Sequence, residues 1–267
     1  MAFSVVTNVA SLNSQANLTS TQLSLNKTIT RLSSGLRINS SGDDAAGLAV
    51  ANGYASDVAT LTQGVQNANT GLSTLQIQDG ALGNISNLLN RLSTLASAAA
   101  SGGTSSTSRT TLNAEFQTVL GEIDRESGVA GLGTAQGFSV FLSNSTSTNG
   151  VVSGTIAAVS TSTLGISSLA ITQQSAAVTA VSTIRAAVDL LGTAQGSVGS
   201  LENRLSYAIS LAQSQVVNNS NAESQIRDAN IAQEASNLTK YNILSQSGLA
   251  ALAQANQSNS AVLSLLR

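Results

Sequence analysis

The stretch 54–75, YASDVATLTQGVQNANTGLSTL, spaces its larger residues by four and three: Tyr54, Val58, Leu61, Val65, Ala68, Leu72 and Leu75. Residues three and four apart share one helix face, so this rhythm belongs to a helix laid along another helix. It returns near the other end of the chain at Val198, Leu201, Leu205, Ala208 and Ala212. Two seams so far apart in sequence predict that the ends fold together. The expected fold is mainly α: a long antiparallel helical coiled-coil rod with paired N- and C-terminal helices, plus a small β-hairpin region in the middle.

Six segments surround these seams. Residues about 5 to 34 carry a weak stripe at Leu18, Gln22, Leu25, Ile29, Leu32 and Leu36, with Gly35 as its stop. Ser40 to Asp43 form a turn cluster in which Asp43 is the expected N-cap of the next helix. That helix, 44–99, would be on the order of 80 Å long. A third helix is expected over 109–127 behind Ser105 to Ser108, with Leu112, Phe116, Val119 and Ile123 on one face. The alternation around Phe138, Val140 and Leu142 and the turn Asn144 to Gly150 predict a hairpin over about 138–158. Residues 159–172 read as a loop. A second long helix, 173–218, has Val181, Ile184, Val188 and Leu191 on its seam. A last helix, near 230–264, carries Ile231, Ala235, Leu238, Tyr241 and Leu244.

Composition narrows the function. Charged residues make up 9% of the 267 residues and the net charge is −2, which leaves no field for nucleic acid or an acidic membrane. A surface built from Ser, Thr, Asn, Gln and Ala repels copies of itself weakly, which suits self-assembly. The chain has no His and no Cys, which removes imidazole catalysis, thiol nucleophiles and the usual zinc sites. Neither catalytic site, metal nor cofactor is expected. The N-terminus lacks the basic lead and cleavage site of a secretory signal. No apolar run of membrane-spanning length is seen.

Several motifs resemble bacterial flagellin. Residues 31–39 read RLSSGLRIN, residues 43–49 DDAAGLA and residues 67–71 NANTG, followed by Gly80-Ala81-Leu82. In the second half stand Glu202-Asn203-Arg204-Leu205, SQIRDANIA at 224–232, LAQANQ at 252–257 and VLSLLR at 262–267. The matches cover roughly 1–100 and 180–267, and the short middle points to a form without large outer domains. The resemblance implies a structural subunit of the flagellar filament, exported unfolded through the flagellar type III apparatus and polymerised outside the cell. It places 1–43 and 224–267 in an inner-tube coiled-coil domain and 44–223 in a rod domain. Implied partners are copies of the chain itself, an export chaperone, a filament cap and an innate immune receptor. The alternative is a hook–filament junction protein. Asn259 stands where the family commonly has Pro, so the last helix is expected to continue through it.

The residues expected to carry assembly and packing are Leu25, Ile29, Arg31, Leu32, Leu36, Arg37, Arg204, Arg227, Leu238, Leu263 and Leu266. The four arginines are read as partners for carboxylates such as Asp43, Asp44, Glu202 or Asp228. For the immune receptor, Arg91 and Leu95 match the family, whereas Asn90 and Thr94 depart from it, so recognition is expected to be weakened. Residues 5–34 are rich in poor helix formers and expose a thin stripe. Both ends are therefore expected to be disordered in the monomer and to order against each other and neighbouring subunits.

Overall fold

The structure, a computed structural model, describes residues 7–143 and 150–265. The described residues form helices α1 (Val9–Ser34), α2 (Ala45–Ala100) and α3 (Ser106–Val129), and strands β1 (Gln136–Phe141) and β2 (Val151–Ile156). Helices α4 (Gln174–Arg227) and α5 (Ile231–Leu265) follow. With no proline in the chain, nothing interrupts the 56 residues of α2 or the 54 of α4. α4 continues nine residues past its expected end at 218, through Asn218, Asn219 and Asn221, because Asn costs only a few tenths of a kcal/mol in a helix. α5 runs through Asn259 to Leu265, as expected without the proline.

Two compact units divide the chain, residues 57–217 and residues 1–56 with 218–267. The first holds a continuous hydrophobic core. α2 contributes Leu61, Ala68, Leu75, Leu82, Ile85, Leu89 and Leu92, and α4 contributes Ile184, Leu191, Val198, Leu201 and Leu205. The two helices run antiparallel: Gly71 lies against Leu205, while Gln174 Nε2 donates to the Ala100 carbonyl at 3.1 Å. α3 adds Phe116, Leu120 and Ile123. By mean hydropathy and length α4 passes for a membrane span, against the expectation of none. Its buried line within this unit is the face of a helix packed on other helices.

The hairpin pairs β1 and β2 antiparallel in register from Gln136↔Ile156 to Phe141↔Val151. Residues 144–149 of the expected turn lie outside the described residues. The hairpin seats closely because glycines face it. A Cβ at Gly64 would collide with the Leu142 carbonyl, and one at Gly71 would meet Val140 Cγ2 at 2.7 Å. The segment read as a loop is irregular but packed: Val159, Leu164, Ile166 and Ile171 are buried. Asp124 secures it by accepting from Thr161 N at 2.8 Å and Thr161 Oγ1 at 2.7 Å.

In the other unit α1 and α5 run antiparallel. Asn8 caps the start of α1 and donates from Nδ2 to the Ala255 carbonyl at 2.9 Å, while Arg31 at its far end meets Glu234. Both ends are helical in the structure, α1 from Val9 and α5 to Leu265. Each helix gives the other the lateral contact that neither has alone.

Candidate assembly site: the junction of the chain termini

The turn after α1 ties the two ends of the chain together. Gly35 closes α1 in the left-handed region, φ 73°, where a residue without Cβ is favoured, and its N–H returns to the Arg31 carbonyl. Leu36 and Asp228 then form an isolated antiparallel bridge. Arg37 N donates to the Arg227 carbonyl at 2.6 Å, and Ala229 N donates to the Gly35 carbonyl at 2.8 Å. The Arg37 side chain donates Nε and Nη2 to the Ile226 carbonyl at 3.2 and 2.6 Å, capping the exposed end of α4. A cation at a helix C-terminus is favoured twice, by the hydrogen bonds and by the helix dipole. Buried Ile38 anchors the strap from below.

The following helix start differs from expectation by one residue. Asp44, not Asp43, is the N-cap of α2: its Oδ1 accepts from Gly47 N at 2.8 Å and its carbonyl from Leu48 N at 3.0 Å. Asp43 folds back instead. Its carboxylate accepts from Ser40 N at 3.2 Å and Asn39 N at 3.4 Å, and lies 3.4 Å from Lys27 Nζ. The Ser40 and Asn39 amides are the main cause of a carboxyl held below the usual aspartate range. Two adjacent acids were interchangeable in sequence; loop geometry assigns their roles.

None of the four arginines pairs with the carboxylates expected of it. Arg31 meets Glu234 at 3.5 Å, Arg227 meets Glu223 at 3.6 Å, Arg37 serves the carbonyl of Ile226, and Arg204, in the 57–217 unit, donates to the Ser153 carbonyl at 3.0 Å. Asp228 accepts from Ser224 Oγ. Glu234 was missed by sequence reasoning, although it is only 7% exposed. Its place in the first turn of α5, after the Asn230 cap, was the available signal. Glu234 Oε2 and Arg227 Nε are buried without partners. A cleft of about 550 Å³ opens between α1 and the turn that follows it, lined by Leu23, Lys27, Arg31, Asn39 and Asp43 among others.

The apolar stripe also sits differently. Leu25 is buried and Leu32, Leu36 and Leu238 are half-buried, but Ile29 is 48% exposed, with Thr28 buried in its place. On α5 the inward line runs Glu234, Leu238, Tyr241, Ser245, Gly248, Leu252 and Ala255, leaving Ile231 and Leu244 exposed. Small and polar residues let the two helices approach: Gly248 lies against Leu18. Val9, Leu12, Leu23, Ile243 and Leu249 consequently face outward. Leu263 lies in α5, and Leu266 lies outside the described residues.

Of the expected receptor residues, Asn90 and Arg91 are exposed on α2 and Leu95 is buried at 3% exposure. Arg91 is engaged by Glu115 of α3, with Nε to Oε1 at 2.9 Å. Among the described residues no three metal-ligating side chains come together.

Paired terminal helices that leave aliphatic residues outside, in a chain whose other unit has its own core, are the features of a self-assembling structural protein. The bacterial flagellin N-terminal helical region matches residues 5–131, and the C-terminal helical region matches residues 181–266. The chain belongs to the bacterial flagellins, the structural subunits of the extracellular flagellar filament. It is 32% identical to the flagellar filament 33 kDa core protein of Treponema phagedenis, over 97% of this chain and 98% of that one. It is 31% identical to the flagellin of Halalkalibacterium halodurans over the same shares of the two chains. The flagellin of Escherichia coli K12 is 40% identical over 128 residues, 48% of this chain and 26% of that longer one.

Proposed function

We propose that the α1–α5 pair, within 1–43 and 224–267, is the inner-tube domain of the filament and that 44–223 forms the surrounding shell. The observation that carries this is the outward placement of Ile29, Ile243, Leu244 and Leu249 on helices whose mutual contact, through Leu25, Leu238, Leu252 and small or polar residues, leaves them uncovered. Burying those side chains against sister subunits drives polymerisation at roughly 25 cal/mol per Å² of apolar area. The ordering of side chains and chain ends opposes it. Arg37, Arg31 and Arg227 hold the terminal junction in the geometry that neighbours dock on, with Leu25, Leu32, Leu36 and Leu238 beneath. Arg204 acts within the shell by holding β2.

The protein works by assembly and carries out no catalytic step. It is exported unfolded by the flagellar type III apparatus, escorted by an export chaperone and inserted under a filament cap. Recognition by the innate immune receptor is weak. Thr94 replaces an expected acid, Leu95 is buried, and Arg91 is already paired with Glu115. Seeded elongation tests the reading: purified chain added to broken filament ends should extend them into long filaments. A chain that never elongates such seeds sinks the proposal. For the receptor, a reporter-cell response equal to that of a fully potent flagellin would overturn the weakened contact.

A further inference from the structure

The α1–α5 pair uses one line of residues on each helix, and the same spacing recurs on the far side of both. On α1 the line turned to α5 runs Ser11, Ser14, Leu18, Thr21, Leu25 and Thr28, at alternating steps of three and four, all buried or half-buried. Two residues earlier at every step stand Val9, Leu12, Ala16, Thr19, Leu23 and Asn26, all exposed. Two residues turn a helix by about 200°, so this second line lies on the opposite face.

α5 repeats the pattern. Its second line, Ser236, Thr239, Ile243, Gln246, Ala250 and Ala253, precedes by two residues the inward positions from Leu238 to Ala255, and every member is exposed. Neither second line contains a charged residue; the charges of the two helices are Lys27, Arg31, Glu234 and Lys240, outside both. A helix with lines at this spacing on two faces can touch two helices. In the single chain the inner line of each helix is filled and the outer line of neither is.

The two outer lines differ in bulk. That of α1 carries Val9, Leu12 and Leu23, whereas that of α5 is mostly Ser, Thr and Ala around Ile243. Bulk set against small residues is the packing the pair already uses, where Leu18 lies on Gly248. Like on like would set leucine against leucine in one contact and leave the small residues of α5 unfilled in the other. An α1 line laid on an α5 line is instead heterologous. Each copy then keeps one free line for the next, so addition does not stop at a dimer.

We propose that the outer line of α1, Val9 to Asn26, packs on the outer line of α5, Ser236 to Ala253, of the next copy of this chain. The contact rests on the assignment of the α1–α5 pair to the inner tube and names the faces by which its subunits meet. Leu12 and Leu23 are the knobs, and Ser236, Ala250 and Ala253 leave the holes that admit them. Ile243 adds apolar area to the same line. With no charge on either line the attraction is burial, which salt does not screen. A charge placed on a line would have to be buried without a partner.

Seeded elongation with mapped cross-links tests the pairing. A photoreactive side chain is placed at position 16 of the full chain. Isotopically labelled and unlabelled copies are then mixed before growth on broken filament ends, so that links between copies are told from links within one. Links between copies should fall on 236–253 of α5. Ala16→Glu and Ala250→Glu, with the helix content of the parent monomer by circular dichroism, should each slow elongation about tenfold or more, at low and high salt alike. Normal elongation by either variant overturns the proposal. So do links that fall on α1 of another copy or on another face, in filaments that grow; the inner-tube reading then stands. A parent chain that never elongates removes both.

Discussion

The two units of this chain bury themselves by opposite rules. Residues 57–217 enclose one continuous core of leucine, isoleucine, valine and alanine from α2, α3, α4 and the hairpin. The unit of residues 1–56 and 218–267 buries, among its described hydrophobic residues, Leu25, Ile38 and Ala51. It is held instead by backbone and charge: a Gly35 cap, an isolated bridge, Arg37 on a helix end, and the Arg31–Glu234 pair. A unit with its own core carries its stabilising burial within itself. One held by exposed hydrogen bonds, with its aliphatic residues outside, is formed but unfinished, which is the condition a filament subunit needs.

That contrast can be broken by measurement. The largest effect should come from Phe116→Ala, which empties a fully buried site in the cored unit and should cost about 3–5 kcal/mol of monomer stability in urea unfolding. A loss near zero would mean that the core is not where the stability lies. Next, Arg37→Ala should cost about 1 kcal/mol, since its hydrogen bonds are exposed, and should raise amide exchange at Arg37 and Ala229. Unchanged exchange there would show that the strap does not depend on that side chain.

Smaller still in the monomer, Ile243→Ser and Leu249→Ser should change stability by no more than about 0.5 kcal/mol while abolishing seeded elongation. Normal elongation by both variants would remove the outward aliphatic residues from the account. The subtlest expectation concerns Asp43. Its folded value lies below the usual 3.8, so the contribution of its ionised form is present above 3.8 and is lost as pH falls through the lower folded value. A carboxyl titration should find Asp43 still ionised where a free aspartate is half protonated. Lys27→Ala should move it little, because the amides of Ser40 and Asn39 dominate.

Much of this was legible in the residues, and the misreadings of helix faces share one cause. The α2 seam through Leu61, Ala68 and Leu75 and the α4 seam through Val198, Leu201 and Leu205 appear as read. Farther up α4, Val188 was placed on the seam, but Ala187 is buried there and Val188 faces outward. Ala177, Ala180, Ala187 and Ala194 line the buried face because small residues let helices come close. A reading that follows the largest residue picks the wrong neighbour wherever close approach matters more than volume. The same error put Ile29 inside in place of Thr28. The end of α2 held another surprise: Arg109 Nε donates to the Ala99 carbonyl at 2.8 Å, a cap that its surroundings of Ser and Thr did not advertise.

Periodicity, the lack of proline, histidine and cysteine, and a run of motifs at both ends were enough to establish helices, kinship and a structural role. These depend on local spacing and on residue chemistry, which the chain carries in its order. The meeting of Arg31 with Glu234, and the choice of which aliphatic residues of α1 and α5 stay outside, depended on contacts between segments about two hundred residues apart. The backbone geometry of the 39–47 turn decided which of Asp43 and Asp44 caps α2. Such choices turn on distances of an ångström or two between packed backbones, and linear spacing holds no record of them.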